Sequence, residues 1–186
     1  YDGVNVSGER ARVGDHVIVS GTVGDHGVAI LSHRQGLAFE TTLESDSANL
    51  HPLIERMVQC NGGALRILRD PTRGGLATVG HELHRATGLS VVFDGPAVPV
   101  RDPVHSVCEM LGYDPLYLAC EGRVVAVVAE EDADRLLSAW RKLPEGAEAA
   151  CVGELVKGRE RVILVTELGG ERILEELEDD PLPRIC

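Results

Sequence analysis

Hydrophobic and polar positions along the 186 residues switch between a period of two and a period near 3.6, and the switches define the elements. Residues 16–21, HVIVSG, are β-branched and short, and the glycine-rich TVGDHG and the apolar-periodic VAILSHRQ follow, so the order is strand, loop, helix. In NLHPLIERMVQCNGG, Pro52 falls in a first helical turn, Leu53, Ile54, Met57 and Val58 share one face, and Gly62 ends the pattern. ALRILRD (64–70) alternates as a strand and runs through PTRGG into LATVGHELHRATG, where Leu76, Val79, Leu83 and Ala86 recur at helical spacing before a Gly88 cap. The strand, glycine loop, helix order therefore occurs twice.

Beyond LSVVFDG an irregular proline-rich connection (95–104) precedes a short helix, PVHSVCEMLG, with Asp102 as its expected N-cap. RVVAVVA (123–129) is almost continuously apolar, as a strand buried on both faces must be. It leads into EEDADRLLSAWRKL, where Leu136, Leu137, Trp140 and Leu143 share one side and the charges oppose the helix dipole. AEAACVGELV and RVILVTEL add two strands across KGRE, and GGERIL turns toward the tail. The pattern predicts an α+β fold of mixed layers over 1–177, a mixed sheet flanked by helices. Residues 178–186 read as a mobile arm, because acids and two prolines disfavour helix; eight residues after Glu178 span about 25 Å at roughly 3.1 Å each.

Composition narrows the function. Thirty acidic against eighteen basic residues give a net charge of -12, which repels phosphate backbones and argues against nucleic acid. No apolar run approaches a membrane span and the first residues lack a signal-peptide pattern; without an initial Met, the chain is expected to begin inside a longer protein. Five widely spaced cysteines, with no C-x-x-C pair, point to reduced thiols in the cytoplasm rather than a disulfide framework or a zinc ribbon. Cys60, Cys108, Cys120 and Cys151 sit among apolar neighbours and read as small core residues. Cys186, the last residue, has no such context, and a prenylation signal would need the cysteine where Pro183 stands.

Two glycine loops carry the candidate chemistry: SGTVGDHG (20–27) and RDPTRGG (69–75) precede helix N-termini, whose free N–H groups and dipole favour anions. Neither is a Walker A or a G-x-G-x-x-G motif, so phosphate contact and plain turn chemistry both remain open. Arg73 places a guanidinium beside Gly74 and Gly75, His26 lies within its loop, and Asp25 and Asp70 either cap the helices or position a metal-bridged phosphate. HELH (81–84) is not a zinc site, because its histidines are three apart and position 85 is arginine; no metal ligand set is expected. Glu121 follows Leu116, Leu118 and Ala119 and precedes Gly122, which reads either as a solvated turn acid or as a partly desolvated carboxylate with a raised pKa.

SGTVGDHGVAIL, RDPTRGGLA, LGYDPLYLACEG and the terminal PRIC, in this order and spacing, resemble the HypE family of hydrogenase maturation proteins. DPTRGG alone is shared more widely across the aminoimidazole ribonucleotide (AIR) synthetase superfamily. The resemblance spans essentially the whole chain but only the second half of such a protein, and implies an AIR synthetase C-terminal-domain-like fold. An N-terminal domain, absent here, supplies most of the ATP site and the homodimer contact. The resemblance further implies that Cys186 accepts a carbamoyl group from HypF. It implies that ATP, with Mg2+, activates the carbamoyl oxygen. Dehydration then leaves a thiocyanate whose cyanide goes to iron on the HypC–HypD complex during [NiFe] hydrogenase assembly. It implies that Gly24, His26, Gly27, Asp70, Thr72, Arg73 and Gly74 face the nucleotide, that Glu121 deprotonates the carbamoyl nitrogen, and that Arg184 holds the thiolate or orients the tail. Cys120 stands where the family usually has Asn. Two other readings compete: a non-catalytic module that presents Cys186 to its partners, and another ATP-using relative such as selenophosphate synthetase or thiamine monophosphate kinase, which gives no reason for a terminal cysteine.

Overall fold

The computed structural model describes residues 4–34, 43–159 and 161–177. Seven strands form one sheet: β1 (His16–Val19), β2 (Leu65–Arg69), β3 (Ser90–Asp94), β4 (Val125–Val128), β5 (Ala150–Val156), β6 (Val162–Val165) and β7 (Glu171–Ile173), in the order β2-β4-β1-β5-β3-β6-β7. β3 and β6 are parallel and the other pairs antiparallel, so the sheet is mixed, as the pattern predicts. β4 lies between two neighbours and all four of its residues are buried, in line with its unbroken apolar run.

Helices cover both faces. α2 (His51–Asn61) and α5 (Ala133–Trp140) pack on Ile18, Leu65, Ala126 and Val128, with Trp140, Leu53 and Met57 fully buried between them. α3 (Gly75–Thr87) presents Leu76, Val79 and Leu83 to the opposite face, where Val17, Val19, Phe93, Val127 and Leu155 meet it. Each such side chain stabilises the fold by about 1.5–3 kcal/mol relative to exposure. α1 (Asp25–Arg34) and α4 (Asp102–Leu111) build a smaller cluster of Val28, Leu31, Val104, Val107 and Cys108, which Leu118 closes.

Four local expectations are corrected. Asp102 is the first residue of α4 rather than its cap; Arg101 holds the cap position and its side chain makes no capping bond. The helix expected over 130–143 begins as a turn of 3-10 helix and its α-helical part stops at Trp140, whose carbonyl accepts the N–H of Leu143 as the chain turns. GGERIL contains β7, an edge strand whose three residues are all exposed, so it carries no apolar alternation to read. Of the four cysteines expected in the core, Cys108 and Cys120 are buried but Cys60 and Cys151 are half-exposed.

Register brings the loops together. Val19 of β1 and Arg69 of β2 both lie opposite Val125, the first residue of β4. Because both pairings are antiparallel, the C-terminal ends of β1 and β2 and the N-terminal approach to β4 emerge at one end of three adjacent strands. The segments 20–27, 70–75 and 116–124 are therefore neighbours in space while far apart in sequence.

Candidate active site

His26 and Glu121 meet at this end of the sheet, His26 Nε2 lying 4.0 Å from Glu121 Oε1. The imidazole is buried in the first turn of α1, and its Nδ1 is 2.8 Å from the Ser45 hydroxyl. The Glu121 side chain is 45% exposed, nearer the solvated of its two readings: its N–H turns inward to Asp46 and its carboxylate stays at the surface.

Beneath this pair lies a buried charged cluster. Arg123, 9% exposed by side chain, donates to the Thr22 carbonyl (2.8 Å), the Thr22 hydroxyl (3.1 Å) and the Gly122 carbonyl (3.2 Å). Its guanidinium is 3.5 Å from Asp25 Oδ2 and 3.8 Å from Asp46 Oδ2. Asp25 also accepts the Thr22 hydroxyl, and Asp46 Oδ1 accepts the N–H groups of Glu121 (2.9 Å) and Gly122 (3.2 Å). Burial pushes the Asp46 carboxyl above its ordinary range, while the Glu121 N–H and Arg123 pull the other way. Asp25 is thus neither a helix cap nor a free acid but the partner of Arg123. Sequence reading passed over Ser45, Asp46 and Arg123; the polar run ESDSAN resembles any loop, and the amides that Asp46 holds stand more than seventy residues away.

The two glycine loops differ. In the first, Val23, Gly24 and Gly27 donate their N–H groups to the Pro99 carbonyl, Cys120 Sγ and the Ala119 carbonyl. A Cβ on Gly24 would lie 2.9 Å from Val104 Cγ1 and one on Gly27 2.8 Å from Leu118 Cβ. These glycines permit close packing, and their own N–H groups are committed inside the domain. Burial pushes the Cys120 thiol up to about 12; it receives the Gly24 N–H and donates to the Leu118 carbonyl at 3.6 Å.

In the second loop, Gly74 and Gly75 have φ of 64° and 57°, left-handed values that disfavour other residues, and they lead directly into α3. A Cβ on Gly75 would meet the Leu116 and Leu118 carbonyls at 2.6 and 2.5 Å, so this loop is fitted against segment 116–120, where the Cys120 N–H reaches the Pro71 carbonyl at 3.0 Å. Arg73 is exposed, and Asp70 accepts the Thr72 hydroxyl at 3.0 Å.

The chain returns to this loop before its described part ends. His81 Nε2–H donates to the Leu174 carbonyl (2.9 Å), the Tyr117 hydroxyl to the Glu175 carbonyl (2.9 Å), and Arg85 pairs with Glu176. Leu177 Cδ1 lies 3.2 Å from where a Gly74 Cβ would stand. The HELH histidines are structural, His84 reaching the Leu89 carbonyl at 2.7 Å. Cys186, Arg184 and the rest of the arm lie outside the described residues. Among the described residues, no cluster of three or more His, Cys, Asp and Glu side chains is placed to hold a metal, and no helix is long and apolar enough to cross a membrane. A groove of about 640 Å³ between Pro96, Pro99, Tyr113, Pro115 and Arg172 contains none of the expected site residues.

Comparison with known proteins agrees with this architecture. Carbamoyl dehydratase HypE of Bradyrhizobium diazoefficiens is 50% identical over all 186 residues, which cover 54% of that protein. The chain superimposes on a crystal structure of a HypE–HypF complex with TM-score 0.89 and 40% identity, over 97% of this chain and 57% of that one. It superimposes on HypE in complex with ATP with TM-score 0.88 and 43% identity, over 95% and 54%. The chain spans about half the length of the curated relatives it matches. Residues 12–165 match the model of the AIR synthase related protein C-terminal domain, and the chain belongs to that family, similar within it to the carbamoyl dehydratases named HypE.

Proposed function

We propose that this chain serves [NiFe] hydrogenase maturation as the C-terminal part of an ATP-dependent carbamoyl dehydratase, with Cys186 as the carrier and Glu121 as the base. The observation that carries the reading is the meeting of the Glu121–His26 pair, the Arg73 loop and the root of the arm at one end of the sheet. Nine residues separate Leu177 from Cys186, and extended backbone of that length reaches at most about 30 Å, enough to bring the thiol from Gly74 to Glu121 or outward to a partner.

HypF is the proposed carbamoyl donor, since a HypE structure contains it. The Cys186 thiolate attacks the carbamoyl carbon, the bond from that carbon to the donor's oxygen breaks with its electron pair leaving on the donor, and the thiolate becomes an S-carbamoyl group. The nucleotide is assigned to the second glycine loop, where Thr72 and exposed Arg73 stand beside the α3 N-terminus. ATP with its Mg2+ would supply a phosphoryl group to the carbamoyl oxygen, with release of ADP and loss of one N–H proton, so that this oxygen becomes a leaving group. Glu121 removes the remaining N–H proton as the C–O bond breaks and phosphate departs, which leaves S–C≡N on Cys186, and His26 stands beside the carboxylate that collects the proton. The same proposal includes delivery of cyanide to the HypC–HypD complex, a homodimeric full-length protein, and a cytoplasmic setting. Intact mass of a full-length protein carrying this chain, incubated with carbamoyl phosphate, HypF and ATP, tests the carrier. The parent is expected to gain the carbamoyl mass and then lose water, and Cys186→Ala to gain nothing with an unchanged melting temperature. A carbamoylated Cys186→Ala protein would overturn it, and a parent that is carbamoylated without losing water would leave only a presenting module.

A further inference from the structure

Gly122 has no room for a side chain: a Cβ there would lie 1.7 Å from the Asp46 carbonyl oxygen and 2.7 Å from the Ala48 nitrogen. The segment that carries Glu121 is thus pressed against the 45–48 turn, and that turn grips it from two sides. Asp46 Oδ1 accepts two consecutive N–H groups, those of Glu121 and Gly122. Ser45, the preceding residue, places its hydroxyl 2.8 Å from His26 Nδ1, on the ring edge opposite the nitrogen that faces Glu121. Two neighbouring residues therefore hold both members of the pair, one through its ring and one through its backbone.

We infer that Asp46 is a positioning residue for Glu121, fixing by its two accepted N–H bonds the peptide from which the carboxylate is presented to the S-carbamoyl group, while Ser45 sets the facing imidazole. The inference rests on Glu121 acting as the base. Asp46 is 7% exposed, and its second oxygen accepts no hydrogen bond. A buried carboxylate with one oxygen that makes no hydrogen bond, facing only Arg123 at 3.8 Å, is a costly way to fill a core site. What it supplies is an acceptor strong enough to hold two amides at once, anchored from behind by Arg123 at 3.8 Å. A one-residue shift or a slack turn would move the Glu121 carboxylate by more than the tolerance of a proton transfer.

The geometry separates acceptor from charge. Asp46→Asn keeps the accepting oxygen, and its new NH2 replaces an oxygen that made no hydrogen bond. Asp46→Glu keeps the charge but pushes the acceptor out by one methylene, and Asp46→Ala removes it. Amide exchange on this chain reads the grip directly. Asp46→Ala and Asp46→Glu are expected to speed exchange at Glu121 and Gly122 at least about tenfold relative to amides of α5, and Asp46→Asn less than about threefold. In a full-length protein the same two variants are expected to lower kcat for dehydration about 10- to 100-fold. The KM for ATP should stay within about twofold of the parent, carbamoylation of Cys186 should be unchanged, and Asp46→Asn should recover most of kcat. Should Asp46→Ala fail to fold, the ranking of Asn above Glu carries the test. Unchanged exchange in Asp46→Glu, or Glu retaining kcat while Asn loses it, overturns the positioning role. If exchange rises as expected but kcat does not fall, the grip exists without serving catalysis and the proposal also fails. Failure of Glu121 as the base would show separately, as a Glu121→Gln variant that dehydrates at the parent rate.

Discussion

The two glycine loops look alike in sequence, each following a strand and opening a helix, yet the first buries its charged side chain and the second exposes one. Loop 20–27 spends its amides on Pro99, Cys120 and Ala119, and beneath it Asp25 and Arg123 form a buried pair. Loop 70–75 leaves Arg73 in solvent and shapes its turn with two left-handed glycines. The difference lies in the charges: the 115–120 segment packs on both loops and Gly74 and Gly75 are buried, but Asp25 is enclosed with Arg123 whereas Arg73 stays exposed. A glycine-rich helix start is thus a statement about close approach, and in both loops the approaching group is another part of the chain: Val104 and Leu118 side chains at the first, the Leu116 and Leu118 carbonyls at the second.

Substitutions at the two loops should part sharply. Arg123→Met leaves Asp46 buried without its cation and Asp25 with only the half-exposed Arg101 at 3.7 Å, and breaking a buried pair from one side costs about 3–5 kcal/mol. Thermal unfolding should shift down by roughly 10 °C for a domain of this size. A shift under about 2 °C would mean that the first loop is not held by its charges.

A smaller effect appears in alkali. Cys120 ordinarily ionises near 9.0 but is pushed by burial to about 12 in the folded state. The unfolded chain therefore loses the proton first. The contribution is fully present below pH 9 and is lost as pH rises toward 12, at up to about 1.4 kcal/mol per pH unit. Denaturant midpoints between pH 8 and 11 should fall less steeply in Cys120→Ala, and equal slopes would refute the closure of the loop over this thiol.

The strand and helix pattern was legible because burial imposes it: the unbroken run of β4, the alternation of β2 and the helical stripe of α3 each answer to a face that is covered. β7 escaped because nothing covers it. The candidate site was legible where glycine, histidine and acid cluster locally, as at His26 and in DPTRGG. Glu121 came from a family resemblance, and Asp46 and Arg123 stayed silent, because their partners are fixed by strand register rather than by spacing along the chain.

The smallest effect on stability belongs to the second loop. Arg73 is exposed, so Arg73→Ala should change stability by less than about 0.5 kcal/mol. In a full-length protein it should nonetheless weaken ATP binding about tenfold by calorimetric titration, since a charge-assisted contact to phosphate is lost. Parent-like affinity would move the phosphates off this loop.

The account stands most directly on Glu121, whose carboxylate lies 4.0 Å from His26 and whose backbone Asp46 holds. Glu121→Gln keeps the size and the N–H bond to Asp46 but cannot take a proton. Followed by intact mass in a full-length protein with HypF, carbamoyl phosphate and ATP, this variant should accept the carbamoyl group on Cys186 at the parent rate and then accumulate it, with no loss of water. Thiocyanate formed at the parent rate would contradict the assignment of Glu121 as the base.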